Sequence, residues 1–170
     1  MSKEKENHLN IEGSVVVYPL IESREGTKVV LGQRADNNMW MPVGGGFEEG
    51  EHPFNTKETI EREWYEEIGI PLHDVIKMPD YPSEMVLSPY SIGFVYLGRF
   101  IGDKLPQPKE GSELINLKAF SMIELCELLE QYKTLLYKPE YNFENIAALV
   151  GVSTGIFYHY PDKQEQSSFF

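Results

Sequence analysis

Apolar residues recur along the chain with two different periods, and the alternation between them divides it into elements. Residues 13–21, Gly-Ser-Val-Val-Val-Tyr-Pro-Leu-Ile, are β-branched and predict a strand, with Pro19 marking an edge or a bulge. A polar stretch at 22–27 containing Gly26 predicts a turn, and residues 28–34 predict a second strand, so the two form a hairpin. The period then changes. Ile60, Trp64 and Ile68 recur at i, i+4 and i+8, which predicts a helix over 56–68 with one apolar stripe. Asn55 followed by Glu58 is a capping-box-like start, and Gly69 is a natural left-handed stop.

Beyond that helix, residues 71–83 predict a loop-rich segment with a short strand at 74–76. Residues 85–87 and 91–100 predict two strands, the second long and aromatic. Residues 103–112 hold prolines, glycines and charges and predict an exposed loop, of the kind that often carries catalytic groups on a rigid scaffold. A strand over 113–120 follows. Leu125, Leu128, Leu129, Tyr132 and Leu136 then predict a helix over 123–137. The organisation expected is a polar lead-in at 1–10, one domain at 11–138 and a helical extension at 139–170 packed on the core.

Composition narrows the classes. A chain of 170 residues with 41% hydrophobic content can build one sizeable core. A net charge of −12 argues against nonspecific polyanion binding, because affinity for nucleic acid depends on Lys and Arg neutralising phosphates. Cys126 is the single cysteine, which excludes an intramolecular disulfide and cysteine-rich zinc sites; it is expected to be a buried small residue. No run approaches 18 apolar residues and residues 1–10 lack an apolar signal region, so a cytoplasmic protein away from membranes is expected.

The chemistry concentrates in residues 43–70. A glycine-rich loop, Val-Gly-Gly-Gly-Phe-Glu-Glu-Gly-Glu at 43–51, precedes a helix on which Glu63, Glu66 and Glu67 fall on one face at i, i+3 and i+4. Like charges at that spacing repel, and a hard divalent cation would supply the missing positive charge. Mg²⁺ and Mn²⁺ prefer carboxylate oxygens and keep sites free for water or substrate phosphates. A solvated acidic helix face is the bland alternative. Arg34 is a candidate substrate contact or a solvated surface residue, and Trp40 could cover a nucleobase or lie at the rim of the core.

Gly45, Glu51, Arg62-Glu63-Trp64, Glu66-Glu67 and Gly69-Ile70, in this order, resemble the Nudix box of the Nudix hydrolase superfamily. Two departures stand out. Ten residues separate Glu51 from Arg62 where the family has seven, and Val43 occupies a position where proline is common. The extra three fall at the loop-to-helix junction and bear on the Glu51–Arg62 contact more than on the metal site. The resemblance implies an α/β fold, an α/β/α sandwich with a mixed sheet. The helix at 56–68 would lie on one face and that at 123–137 on the other, with a short helical C-terminal extension.

It also implies a metal-dependent pyrophosphohydrolase cleaving a nucleoside diphosphate linked to another moiety, such as a nucleotide sugar, an ADP-ribose-like compound or a nucleoside triphosphate. Mg²⁺, or Mn²⁺ in its place, would be held by Glu63, Glu66, Glu67 and the Gly45 backbone. Glu66 and Glu67, with Glu110 or Glu113 downstream, would serve catalysis, Arg34, Trp40 and Gly46 would meet the substrate, and Glu51 and Arg62 would make the box's structural contact. Glu48 matches a position often Glu in the family, and Glu49 is expected to be solvated.

Residues 143–160, Phe143 to Tyr160, resemble the helix-turn-helix of TetR-type repressors, including the turn glycine and the Tyr-His-Tyr ending. From residue 123 onward, however, three Lys face seven Asp or Glu, the wrong sign for a DNA-reading surface. A helical pair closing the core is the expectation, and a nucleotide-sensing regulator is the alternative function. The expected partner is a small nucleoside diphosphate derivative, with no membrane, no nucleic acid, and a homodimer left open.

Overall fold

The computed structural model describes residues 12–51, 55–87 and 91–132. The lead-in, the end of the last predicted helix and the extension with its helix-turn-helix resemblance lie outside the described residues.

Strands β1 (Glu12–Ser23) and β2 (Gly26–Arg34) form the expected hairpin, with Ser23 opposite Gly26. Two short strands follow, β3 (Trp40–Met41) and β4 (Val43–Gly46), in a segment expected only as a lead into the glycines. β1 and β2 part company beyond Leu20 and Val29, and β3 and β4 fill the gap: β3 pairs with β2 and β4 with β1. Pro19 lies where β1 changes partner from β4 to β2, and Pro42 separates β3 from β4. Pro42 sits at a break between strands and Pro19 at a gap in the antiparallel ladder on one flank of β1, where a missing N–H costs least, while on the other flank Pro19 keeps register with Gly98 of β7. Pro19 is therefore buried inside an interior strand and marks neither an edge nor a bulge.

Helix α1 (Thr56–Ile68) has the predicted boundaries. It ends at Gly69, whose φ is 79° and whose N–H donates to the Tyr65 carbonyl at 2.9 Å. Its start differs from expectation. Asn55, at φ −109° and ψ 45°, makes no side-chain cap, because it lacks the extended backbone that swings a cap side chain towards the first turn. A capping box does form elsewhere among the described residues. Ser121 N–H donates to Glu124 Oε2 at 2.8 Å and Glu124 N–H to Ser121 Oγ at 3.3 Å, at the entry to α3 (Met122–Tyr132).

Residues 74–76, read as a strand, divide between helix α2 (Leu72–Val75) and strand β5 (Ile76–Lys77). Pro71 supplies the helical φ of −58° just before α2, and Leu72 turns fully inward. β6 (Glu84–Leu87), β7 (Ser91–Phe100) and β8 (Leu114–Ser121) complete a mixed eight-stranded sheet. β1 and β7 run parallel, and the other pairings are antiparallel.

Side chains alternate across this sheet into two cores. On one face Ile60, Trp64 and Ile68 of α1 pack on Val15, Val17, Val30 and Tyr96. On the other, Met122, Leu125 and Leu128 of α3 pack on Tyr18, Leu20, Val29, Leu31 and Phe120. This is the expected α/β/α sandwich. Each fully buried apolar side chain contributes about 1.5–3 kcal/mol, so Ile60 and Trp64 alone fix α1 firmly to the sheet. Cys126 is half-buried rather than enclosed, because it falls beside the stripe of Leu125 and Leu128 and not on it.

Candidate functional site

The site is built where β4 hands the chain to α1. Pairing with β1 draws the glycines tight against its backbone: a Cβ on Gly44 would meet the Val15 carbonyl oxygen at 2.1 Å. One residue on, the opposite side of the ribbon faces α1. A Cβ on Gly45 would meet the Glu63 carboxylate at 2.5 Å, so the absence of a side chain there is what admits Glu63.

Glu63 is well enclosed, its side chain 15% exposed, and burial pushes its carboxyl above the ordinary range against the lowering pull of Arg62. The guanidinium of Arg62 meets that demand from the same turn. Its Nη1 lies 2.9 Å from Glu63 Oε1 and 3.1 Å from Glu66 Oε2, with Glu48 Oε1 at 3.7 Å. Its other edge closes the loop: Nε donates to Glu51 Oε1 at 2.8 Å, and Nη2 donates to Glu51 Oε2 at 3.1 Å and to the Gly46 carbonyl at 3.0 Å.

Arg62, by its hydrogen bond first, holds the Glu51 carboxyl down at about 2. Glu51 Oε2 also accepts the Glu48 N–H at 2.8 Å, tightening the turn after the glycines. The longer spacing between Glu51 and Arg62 thus leaves their contact intact.

Glu67 takes a separate direction. Its Oε2 accepts the Leu114 N–H at 3.1 Å, and its carbonyl accepts the Lys109 N–H at 2.8 Å. The loop between β7 and β8 is thereby pinned to the end of α1, with Lys109 Nζ also 5.9 Å from the Tyr65 ring centroid. Beside this anchor stands Glu113, exposed, its carboxylate 2.6 Å from Arg34 Nη1 and its carbonyl accepting the Ala35 N–H at 2.8 Å. The remaining edge of Arg34 grips Asp36 through two bonds of 2.9 Å, which with Glu113 raises the already high pKa of the guanidinium and lowers that of Asp36.

From the sequence Asp36 reads only as part of a loop at 36–38, with no role assigned; its one signal is a carboxylate two residues after an arginine. Glu110 is exposed in the same loop as Lys109, Gly46 is exposed, and Glu49 is exposed. Trp40 is half-buried, edge-on to Phe120 at 5.0 Å between centroids.

The donor set suits a hard divalent cation, and Arg62 provides an internal test of the fit. Glu63 and Glu66 both reach one positively charged atom, so their oxygens can share a cation. Among the described residues no three His, Cys, Asp or Glu side chains are grouped as a finished cage, and Glu67 is engaged with Leu114. Glu63 and Glu66 are thus the two carboxylates the geometry brings together, while Glu113 lies with Arg34 and Asp36.

The NUDIX domain model matches residues 12–139. No curated protein matches the sequence. Solved structures do match. A NUDIX hydrolase from Listeria monocytogenes is 20% identical, with a TM-score of 0.55 over 84% of this chain and 95% of its own. An ADP-ribose pyrophosphatase from Streptococcus suis is 18% identical, with a TM-score of 0.56 over 84% and 92%. An Ap4A hydrolase from C. elegans is 15% identical, with a TM-score of 0.57 over 85% and 96%.

Proposed function

We propose a function from one premise, that this chain belongs to the NUDIX domain family: it is a metal-dependent hydrolase of phosphoric anhydrides, cleaving a nucleoside diphosphate linked to a second moiety. The observation that carries the reading is the fit of the Glu63 carboxylate into the space left by the missing side chain of Gly45. Enclosing a carboxylate is costly; the single charge of Arg62, shared between Glu63 and Glu66, offsets only part of that cost, since the Glu63 carboxyl is still pushed up, and a divalent cation would offset the rest.

Glu63 and Glu66, with the Gly45 backbone, would hold Mg²⁺ or Mn²⁺, and Glu67 would join them on releasing the Leu114 N–H. When bound, the cation would offset the negative charge that gathers on the phosphate oxygens during cleavage. The chain's own groups do the rest. Glu113 and Glu110, on the loop pinned by Glu67, are the candidates to take the proton of the attacking water. Arg34 would keep Glu113 at its station through the 2.6 Å ion pair. Gly46 and the half-buried Trp40 would meet the substrate, the latter through its ring. Two of the structural neighbours are named for action on nucleotide derivatives, which supports this substrate class.

The test is a hydrolysis screen with Mg²⁺ or Mn²⁺ against nucleotide sugars, ADP-ribose, dinucleoside polyphosphates, NADH and deoxynucleoside triphosphates. Turnover of at least one, abolished by EDTA and by Glu63→Gln, is expected. Absence of metal-dependent turnover across the whole set would sink the proposal.

A further inference from the structure

The guanidinium of Arg62 is divided between two tasks. Its Nε–Nη2 edge holds the loop, through a bidentate pair with Glu51 at 2.8 and 3.1 Å and a bond to the Gly46 carbonyl at 3.0 Å. Its Nη1 tip holds the helix carboxylates, Glu63 at 2.9 Å and Glu66 at 3.1 Å, with Glu48 at 3.7 Å. Edge and tip belong to one rigid plane but serve different partners.

The tip occupies the place where a cation serving Glu63 and Glu66 would have to sit. Both carboxylates approach the same nitrogen, and Glu63 lies wedged against Gly45 with little freedom to seek another partner. A divalent cation binds oxygens at about 2.0–2.1 Å, well inside a hydrogen-bond length, and two positive charges packed between the same two carboxylates would repel. The edge is under no such conflict. Glu51 is held independently by the Glu48 N–H at 2.8 Å and lies on the loop side of the guanidinium.

We infer that the Nη1 tip of Arg62 is a resident counter-charge for the Glu63–Glu66 pair, which a divalent cation exchanges with while the Nε–Nη2 edge keeps its grip on Glu51 and Gly46. The inference rests on the metal-dependent reading above and deepens it. Two consequences follow from the geometry. The like-charged pair at i and i+3 is tolerated without metal because Arg62 screens it from the adjacent position. Cation affinity is set by a competition, so the site responds to free Mg²⁺ over a window that Arg62 helps to define.

The experiment uses the full chain labelled with ¹⁵N-arginine. Side-chain resonances of Arg62 are followed by NMR during a Mg²⁺ titration, with binding measured separately by calorimetry. The exchange of the Nη1 protons with water is expected to quicken by on the order of tenfold or more, as a charge-assisted hydrogen bond is lost. The Nε proton should stay protected.

If calorimetry records Mg²⁺ binding and the Nη1 protons do not change, the exchange is refuted and the metal reading survives. If Nε and Nη1 are released together, the division of labour is wrong and the inference fails. If neither Mg²⁺ nor Mn²⁺ binds, the inference and the metal reading fall together.

Discussion

Arg62 reaches back across eleven residues to meet Glu51 edge to edge, with Nε and Nη2 at 2.8 and 3.1 Å from its two oxygens. The contact spans a connection three residues longer than the family's spacing and ties its two ends together. Replacing Glu51 by Gln keeps the shape and removes the charge. It should lower stability by about 1 kcal/mol, the scale of a partly exposed ion pair with good geometry. The pH dependence follows from the depressed carboxyl. The pair stabilises the fold in full above about pH 4.5, and that contribution drains away as pH falls towards about 2. Chemical melts between pH 2 and 7 should show the variant and the parent converging at the acid end; a gap that persists there would mean that the charge is not the cause.

Adjacent glycines should behave differently. At Gly44 an added Cβ meets the Val15 backbone oxygen at 2.1 Å, and backbone paired in a sheet cannot yield. At Gly45 it meets the movable end of Glu63 at 2.5 Å. Gly44→Ala is therefore expected to disrupt folding, seen as loss of the cooperative melt. Gly45→Ala should fold but expel Glu63, and calorimetry should record weakened Mn²⁺ binding. Equal melting behaviour of the two variants would contradict the assignment.

Glu67→Gln retains an oxygen able to accept the Leu114 N–H, so folding should survive. Turnover on whichever substrate the screen identifies should fall by on the order of 10²-fold. Exposed Glu49, changed to Gln, serves as the control and should be nearly silent. Near-parental activity in Glu67→Gln would place the catalytic carboxylates elsewhere on the chain.

Ser121 and Glu124 form the reciprocal cap of α3, and the Ser121 N–H holds the Glu124 carboxyl down at about 2. Ser121→Ala should cost about 1 kcal/mol, typical of a lost N-cap. Since the Glu124 carboxyl is depressed on folding, its stabilising share is also present above about pH 4.5 and lost as pH falls towards about 2. Glu124→Gln should therefore flatten that part of the acid limb in a pH series of thermal melts.

By itself the sequence determined whatever depends on neighbours in the chain. The 3.6-residue recurrence of Ile60, Trp64 and Ile68, closed by Gly69, located α1 and its end, because helix geometry and its stop are local. Hairpin, long aromatic strand and carboxylate face were legible for the same reason. Ser121 and Glu124 carry the Ser-x-x-Glu signal before an apolar run, which went unread in the sequence, whereas Asn55 and Glu58, which were read as a cap, have the right spacing without the backbone conformation that spacing cannot specify.

Tertiary structure decided what depends on residues distant in sequence. Pro19 is interior because β7 pairs along one flank of β1 while β4 and β2 share the other, a fact of sheet assembly with no trace in the residues around the proline. Glu67 turns to Leu114, and Arg34 to Glu113, across 47 and 79 positions. Glu63 and Glu66 meet on Arg62 because the Gly45 backbone presses on the helix from a neighbouring strand. Composition and spacing can nominate carboxylates for one face of a helix. Which of them share a cation depends on the packing around that face, since side-chain direction is set by the space the rest of the fold leaves open.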